Sequence, residues 1–144
     1  ARIGAVLAKT DPALEESCAA YGRALGTAYQ LVDDLLDYEG ATSELGKNVG
    51  DDLREGKPTL PLLIAMERGS PAERSLIRGA IEGGEVARLP DIVEIVRRTG
   101  AVAATRAAAR AEAELASRSL DLLPASPYRD ALLDSCARSV ERSS

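Results

Sequence analysis

The chain has 144 residues, enough for one modest core, with a formal charge of −5 and no histidine. An acidic balance without any basic run excludes a nucleic-acid binder, whose affinity rests on clustered Lys and Arg against phosphates, and the missing imidazole removes the commonest general base. Apolar residues make up 45% of the chain but aromatic ones only 3%, with no Phe or Trp, so the core has to be built from Ala, Leu, Val and Ile on closely packed helices.

In chain order the pattern predicts six or seven helices with short joints. Residues 1–9 read as the tail of an alanine-rich helix, because no capping residue precedes them. Asp11-Pro12 supplies an N-cap with proline at the first helical position, and the helix runs to Tyr38 before Gly40 stops it. Within it, Gly22-x-x-x-Gly26 is spaced for a close helix crossing. Residues 41–57 form a loop long enough to invite a functional reading. Thr59 is expected to cap the next helix, which ends at Gly69, and Ser70-Pro71-Ala72-Glu73 is a capping box opening another to about Glu82. Residues 90–99 carry Ile92, Val93, Ile95 and Val96 at buried-face spacing, with Gly100 as the stop. From Ala101 to Leu123 the expected inner face is Ala104, Ala108, Ala111 and Leu115; the last helix starts at Ser126-Pro127 and turns Tyr128, Leu132, Leu133, Cys136 and Val140 inward. Cys18 and Cys136 both sit in helical patterns, where a buried thiol is expected and not a disulfide. No apolar run nears the roughly 20 residues needed to span a bilayer, and no signal-peptide pattern opens the chain, so no transmembrane segment and a cytoplasmic location are expected.

Chemistry is concentrated in Tyr29-Gln30-Leu31-Val32-Asp33-Asp34-Leu35-Leu36-Asp37-Tyr38. On a helix, Asp33 and Asp37 stand one above the other, Asp34 is offset by about 100°, and Gln30 lies one turn before the pair. Carboxylates this close raise one another's proton affinity, and the apolar neighbours limit their hydration, so the group calls for a positive partner. All the donors are oxygens, which suits a hard divalent cation; few protein ligands completed by water and phosphate is the Mg²⁺ pattern. A solvated acidic helix face is the competing reading. The segment from Gly46 to Pro61 then offers three glycines with Lys47 and Lys57. Ammonium groups on a backbone able to approach an anion closely favour a metal–diphosphate site.

The ordered set Gln30-x-x-Asp33-Asp34-x-x-Asp37, Gly46-Lys47-x-x-Gly50-Asp51-Asp52 and Glu55-Gly56-Lys57-Pro58-Thr59-Leu60-Pro61 resembles the second aspartate-rich region of the trans-isoprenyl diphosphate synthases, or polyprenyl synthetases. Arg2-Ile3-Gly4-Ala5-Val6-Leu7-Ala8 resembles the family's preceding helix, and the segment to Val140-Glu141-Arg142 its C-terminal helix. The resemblance implies an all-α helical bundle of the isoprenoid synthase type, with residues 1–144 as the C-terminal half of a single domain. The family's first aspartate-rich motif, its isopentenyl diphosphate arginines and its Lys-Thr pair do not occur in these residues.

What the resemblance implies about function is a Mg²⁺-dependent prenyltransferase, of geranylgeranyl or longer product class and homodimeric, that joins an allylic diphosphate to isopentenyl diphosphate. Asp33 would be a direct metal ligand, supported by Asp34 and Asp37, with Asp51 in the outer shell. Gln30, Lys47 and Lys57 would meet the diphosphate, and Asp33 with Lys47 would carry the catalytic role. The chain by itself is expected to be inactive. Two other readings stand beside this one: a non-catalytic helical subunit supporting a full-length synthase, and a terpene cyclase fragment. Cyclases usually carry an Asn/Ser/Glu triplet where this chain has Asp33-Asp34-x-x-Asp37, which argues against the last.

Overall fold

A computed structural model describes residues 1–39 and 50–141. They form helices α1 (Arg2–Leu7), α2 (Pro12–Glu39), α3 (Asp51–Arg54), α4 (Leu60–Arg68), α5 (Pro71–Gly83), α6 (Leu89–Arg98), α7 (Ala101–Arg118) and α8 (Pro127–Glu141), with a 3-10 turn, Val86–Arg88, leading into α6. No strand occurs among the described residues, and none of their helices is long and apolar enough to cross a membrane. The expected all-α class is the observed one.

Three of the helix starts follow from local side-chain capping. Asp11 Oδ1 accepts from the Leu14 amide at 3.0 Å, satisfying one of the donors that every helix start leaves unpaired, and Pro12 has no N–H to satisfy. The capping box at α5 is complete: Ser70 Oγ accepts from the Glu73 amide at 3.3 Å while Glu73 Oε2 accepts from the Ser70 amide at 2.8 Å. Ser126 Oγ accepts from the Arg129 amide at 3.2 Å ahead of α8.

The chain divides into two compact units. Among the described residues, the first takes 1–32 and 108–141, the second 33–39 and 50–107. The first unit's core is Tyr21, Ala24, Ala116, Leu120 and Cys136, with Leu25, Leu123, Leu132 and Leu133 packed against it. Ser17 Oγ donates to the Ser119 carbonyl, and the Tyr21 hydroxyl to that of Leu132 at 3.4 Å. Both cysteines are free thiols, and Cys136 is buried. Gly22 lies where an added Cβ would come within 3.3 Å of the Ala1 Cβ, whereas one at Gly26 would meet nothing within 4 Å. Only the first glycine of the pair thus marks a close approach.

The second unit is built on larger side chains. Leu53, Leu62, Ile77, Ile92 and Val96 are all at 0% exposure, joined by Tyr38, Ala65, Ala80, Ile95 and Ala101. Full burial of each such aliphatic side chain contributes about 1.5–3 kcal/mol. Arg68 reaches the Thr99 carbonyl at 3.1 Å and Arg98 pairs with Glu73, tying the ends of α4, α5 and α6 together.

The structure corrects several sequence expectations. Residues 51–54 of the expected loop are a single helical turn, because Leu53 has a buried place to fill; residues 40–49 lie outside the described set. Thr59 stands at the N-cap of α4 but makes no side-chain capping bond. Its buried hydroxyl is turned to that of Tyr38, 3.5 Å away. On α7 the buried residues are Ala101, Thr105, Ala109, Ala113 and Ala116, while Ala111 and Leu115 are exposed, and the helix ends at Arg118 instead of Leu123. Alanines cover more than one face of this helix, so its pattern could not single out the inner one. Tyr128 is 84% exposed: it falls in the first turn of α8, ahead of Leu132 and Leu133, where the helix meets the core.

Candidate functional site

Asp33, Asp34 and Asp37 lie on the part of α2 that belongs to the second unit, close to where the described portion of the helix ends at Glu39. Val32 and Leu35, at 1% exposure each, fix the rotation of this stretch. Asp34 is buried at 6% exposure, while Asp33 and Asp37 are half-buried. A buried carboxylate needs a charged or hydrogen-bonding partner to remain ionised. Asp34 has one in Lys57, whose Nζ lies 2.9 Å from Asp34 Oδ1 and 3.1 Å from Asp52 Oδ1.

Two glycines allow Lys57 to return to α2. Gly56 has φ +67°, a conformation that L side chains rarely adopt, and an added Cβ would sit 3.0 Å from the Ile81 carbonyl oxygen. Gly84, at φ +62°, passes the Arg54 carbonyl at a similar distance, 3.1 Å from where its Cβ would stand. With Leu53 buried just ahead of Gly56, the segment from Asp51 to Lys57 is seated on the second unit's core. The Asp52 amide donates to Asp37 Oδ2 at 3.0 Å.

Electrostatics at the site reflect this arrangement. The hydrogen bond to Asp34 raises the Lys57 ammonium well above the ordinary lysine range; partial burial opposes the shift, and Asp52 adds to it. Lys57 is therefore a cation at any neutral pH. Burial pushes the Tyr38 phenol up to about 12; the Thr59 hydroxyl bond opposes this, and the charges of Asp52, Asp37 and Asp34 add to it.

Of the residues expected at the site, the structure brings together Asp34, Asp37 and Lys57 through Asp52, with Asp33 one residue before Asp34 on the same turn. Gln30 is exposed, one turn earlier on α2, in the part counted with the first unit. Asp51 pairs with the exposed Arg54. Lys47 lies outside the described residues. The sequence pattern assigns no role to Asp52. Its position beside Asp51 offered no way to choose between the two, since only the turn of α3 decides which carboxylate faces α2. A separate open cavity of about 470 Å³, lined by Glu39, Arg97, Gly100, Val102 and Ala103, contains none of the candidate residues.

Among the described residues no three His, Cys, Asp or Glu side chains are gathered as a group that could hold a metal. The donor set is nonetheless suited to Mg²⁺: hard carboxylate oxygens on one helix wall would supply only part of a coordination shell, and Mg²⁺ characteristically keeps waters and phosphate oxygens in the remainder.

The all-helical fold, with an acidic stretch near the end of its longest helix, is that of the isoprenoid synthases. Within that class, the chain belongs to the polyprenyl synthetase family, which it matches over residues 1–96. It is 46% identical over 143 residues to octaprenyl diphosphate synthase of Escherichia coli, covering 99% of this chain and 44% of that protein. It superposes with a TM-score of 0.86, at 43% identity, on a polyprenyl synthase from Caulobacter crescentus solved with calcium and isoprenyl diphosphate, covering 98% of this chain and 44% of the other. A geranylgeranyl pyrophosphate synthase from Corynebacterium glutamicum, solved with isoprenyl diphosphate and magnesium, gives a TM-score of 0.82 at 34% identity, covering 97% and 41% of the two chains. The chain thus spans less than half the length of these relatives.

Proposed function

We propose that this chain supplies one carboxylate wall, with its lysines, to a Mg²⁺-dependent prenyltransferase that condenses an allylic diphosphate with isopentenyl diphosphate into a longer polyprenyl diphosphate. The observation that carries the reading is the Lys57 ammonium, held 2.9 Å from the buried Asp34 and 3.1 Å from Asp52 at the α2 wall. A fixed cation beside oxygen donors is what a phosphorylated ligand with its counter-ion requires. Two of the relatives described above were solved with a divalent cation and isoprenyl diphosphate together, which supports the same reading.

Asp33 would bind the ion directly, with Asp34 and Asp37 supporting it and its waters and Asp51 reaching it through the outer shell. Bound Mg²⁺ would offset negative charge on the diphosphate leaving group. Lys57 and Lys47 would donate to diphosphate oxygens, and Gln30 would orient that group. In the reaction the allylic C–O bond breaks and diphosphate departs with the electron pair; the isopentenyl double bond attacks the allylic carbon, and loss of a proton from the adjacent carbon forms the new double bond. Lys57 contributes by meeting the departing charge with a cation whose position is set before the substrate arrives, so little reorganisation is needed. Homodimerisation, a cytoplasmic location and a product of geranylgeranyl length or longer belong to the same proposal.

The test is calorimetric titration of this chain with inorganic pyrophosphate, with and without Mg²⁺. Weak binding that requires Mg²⁺ and disappears in Asp33→Asn is expected. Binding indifferent to Mg²⁺, or unchanged in the variant, would overturn the reading. No turnover is expected from this chain alone when it is mixed with an allylic diphosphate, isopentenyl diphosphate and Mg²⁺; product formation would show that its carboxylates and lysines suffice for the chemistry.

A further inference from the structure

We propose that Asp52 is the positioning residue of this wall, holding Lys57 at the α2 carboxylates; what it positions the lysine for rests on the diphosphate reading above. Asp52 makes three contacts that converge on this task. Its carbonyl accepts from the Lys57 amide at 2.9 Å, closing the turn on which the lysine returns. Its carboxylate takes the Lys57 ammonium at 3.1 Å, and its own amide is held by Asp37 Oδ2 at 3.0 Å. The lysine is therefore gripped at both its backbone and its charged end by one residue, which is itself tied to α2.

The physical need for such a grip lies in the lysine stem. An ammonium on a flexible four-carbon chain loses conformational freedom when it is localised, and a single carboxylate leaves it free to swing about that one contact. Asp34 and Asp52 together define a direction. The grip is also anchored: Leu53, next to Asp52, is at 0% exposure in the second unit's core, and the Gly56 amide donates to the Leu53 carbonyl at 3.1 Å. The Lys57 side chain nonetheless remains 41% exposed, which leaves part of it accessible to a ligand. Asp51, the carboxylate next in sequence, is paired with Arg54 and makes none of these contacts.

The experiment uses the chain labelled with ¹⁵N-lysine. It holds three lysines, Lys9, Lys47 and Lys57, so the ammonium signals can be assigned one by one. In the wild type the Lys57 ammonium is expected to be more ordered by nuclear spin relaxation than that of the exposed Lys9. In Asp52→Asn, which keeps the backbone contacts and the side-chain shape but removes the charge, its order is expected to fall to the Lys9 level. The dissociation constant for pyrophosphate in Mg²⁺ is expected to rise about tenfold with little change in melting temperature, while Glu55→Gln, the same charge change on an exposed neighbour, alters neither. Unchanged Lys57 order in Asp52→Asn overturns the proposal, as does lost order with unchanged pyrophosphate affinity. Should Asp52→Asn fail to fold, the wild-type comparison decides: a Lys57 ammonium as mobile as that of Lys9 overturns the grip. A wild-type chain that holds Lys57 rigid yet binds no pyrophosphate in Mg²⁺ would refute the diphosphate reading while leaving the role of Asp52 in holding the lysine supported.

Discussion

The two units of this chain are helical for the same reasons but are filled by different means. The second is packed with Leu53, Leu62, Ile77, Ile92 and Val96, while the first relies largely on small residues, Ala24 and Ala116 among them, around Tyr21, Leu120 and Cys136. A core of large aliphatic side chains gains its stability from the area each one buries, and it loses heavily when one is truncated. An alanine-lined core gains from close backbone approach and has little room for anything larger. The carboxylates and Lys57 sit on the first kind, which gives the segment from Asp51 to Lys57 a firm seat.

Truncation and enlargement should therefore act in opposite places. Leu62→Ala, in the second unit, is expected to cost about 2–5 kcal/mol in urea unfolding, through lost burial and the cavity left behind. A cost below about 1 kcal/mol would mean that this core collapses easily. Ala116→Leu, in the first unit, is expected to cost about 1–3 kcal/mol by overpacking, whereas Leu115→Ala, one residue away and exposed, should fall within about 0.5 kcal/mol of the wild type. If these two were reversed in rank, the inner face assigned to α7 would be wrong.

A smaller effect than either core change is expected at the α5 cap. Ser70→Ala should cost about 1 kcal/mol at any moderate pH. Glu73 behaves differently, because hydrogen bonds from the Ser70 amide and side chain, and then from Arg98, hold its carboxyl below the usual carboxylate range. A depressed folded-state value stabilises the fold above the ordinary carboxylate pKa of 4.5, and that contribution is lost as the pH falls through the lower folded value. The destabilisation caused by Glu73→Ala should accordingly be present at pH 7 and shrink below about pH 4.5. Denaturant midpoints measured at pH 7 and pH 3 would check this; equal shifts at both would show that the charge plays no part.

Much of the fold was legible because its signals are local. Asp11-Pro12 and Ser70-Pro71-Ala72-Glu73 act on amides within the same turn, and the spacing of Ile92, Ile95 and Val96 is wide enough in hydrophobicity to name a face. On α7 that contrast is missing, since alanine stands at position after position. Tyr128 departs from its pattern for another reason: helical spacing marks a direction but not where along the helix the core begins.

At the candidate site, the residue types and their spacing were written in the chain: Asp33, Asp34 and Asp37 share a helix wall by helical geometry alone, and a lysine-bearing segment follows. Tertiary structure decided which carboxylate meets which cation. Asp52 instead of Asp51 faces α2, Thr59 turns to Tyr38 instead of capping its helix, and Lys57 returns to Asp34 across 23 positions of sequence. Those choices depend on the burial of Leu53 and on the close passages at Gly56 and Gly84, contacts between segments far apart in the chain, and no local pattern encodes them.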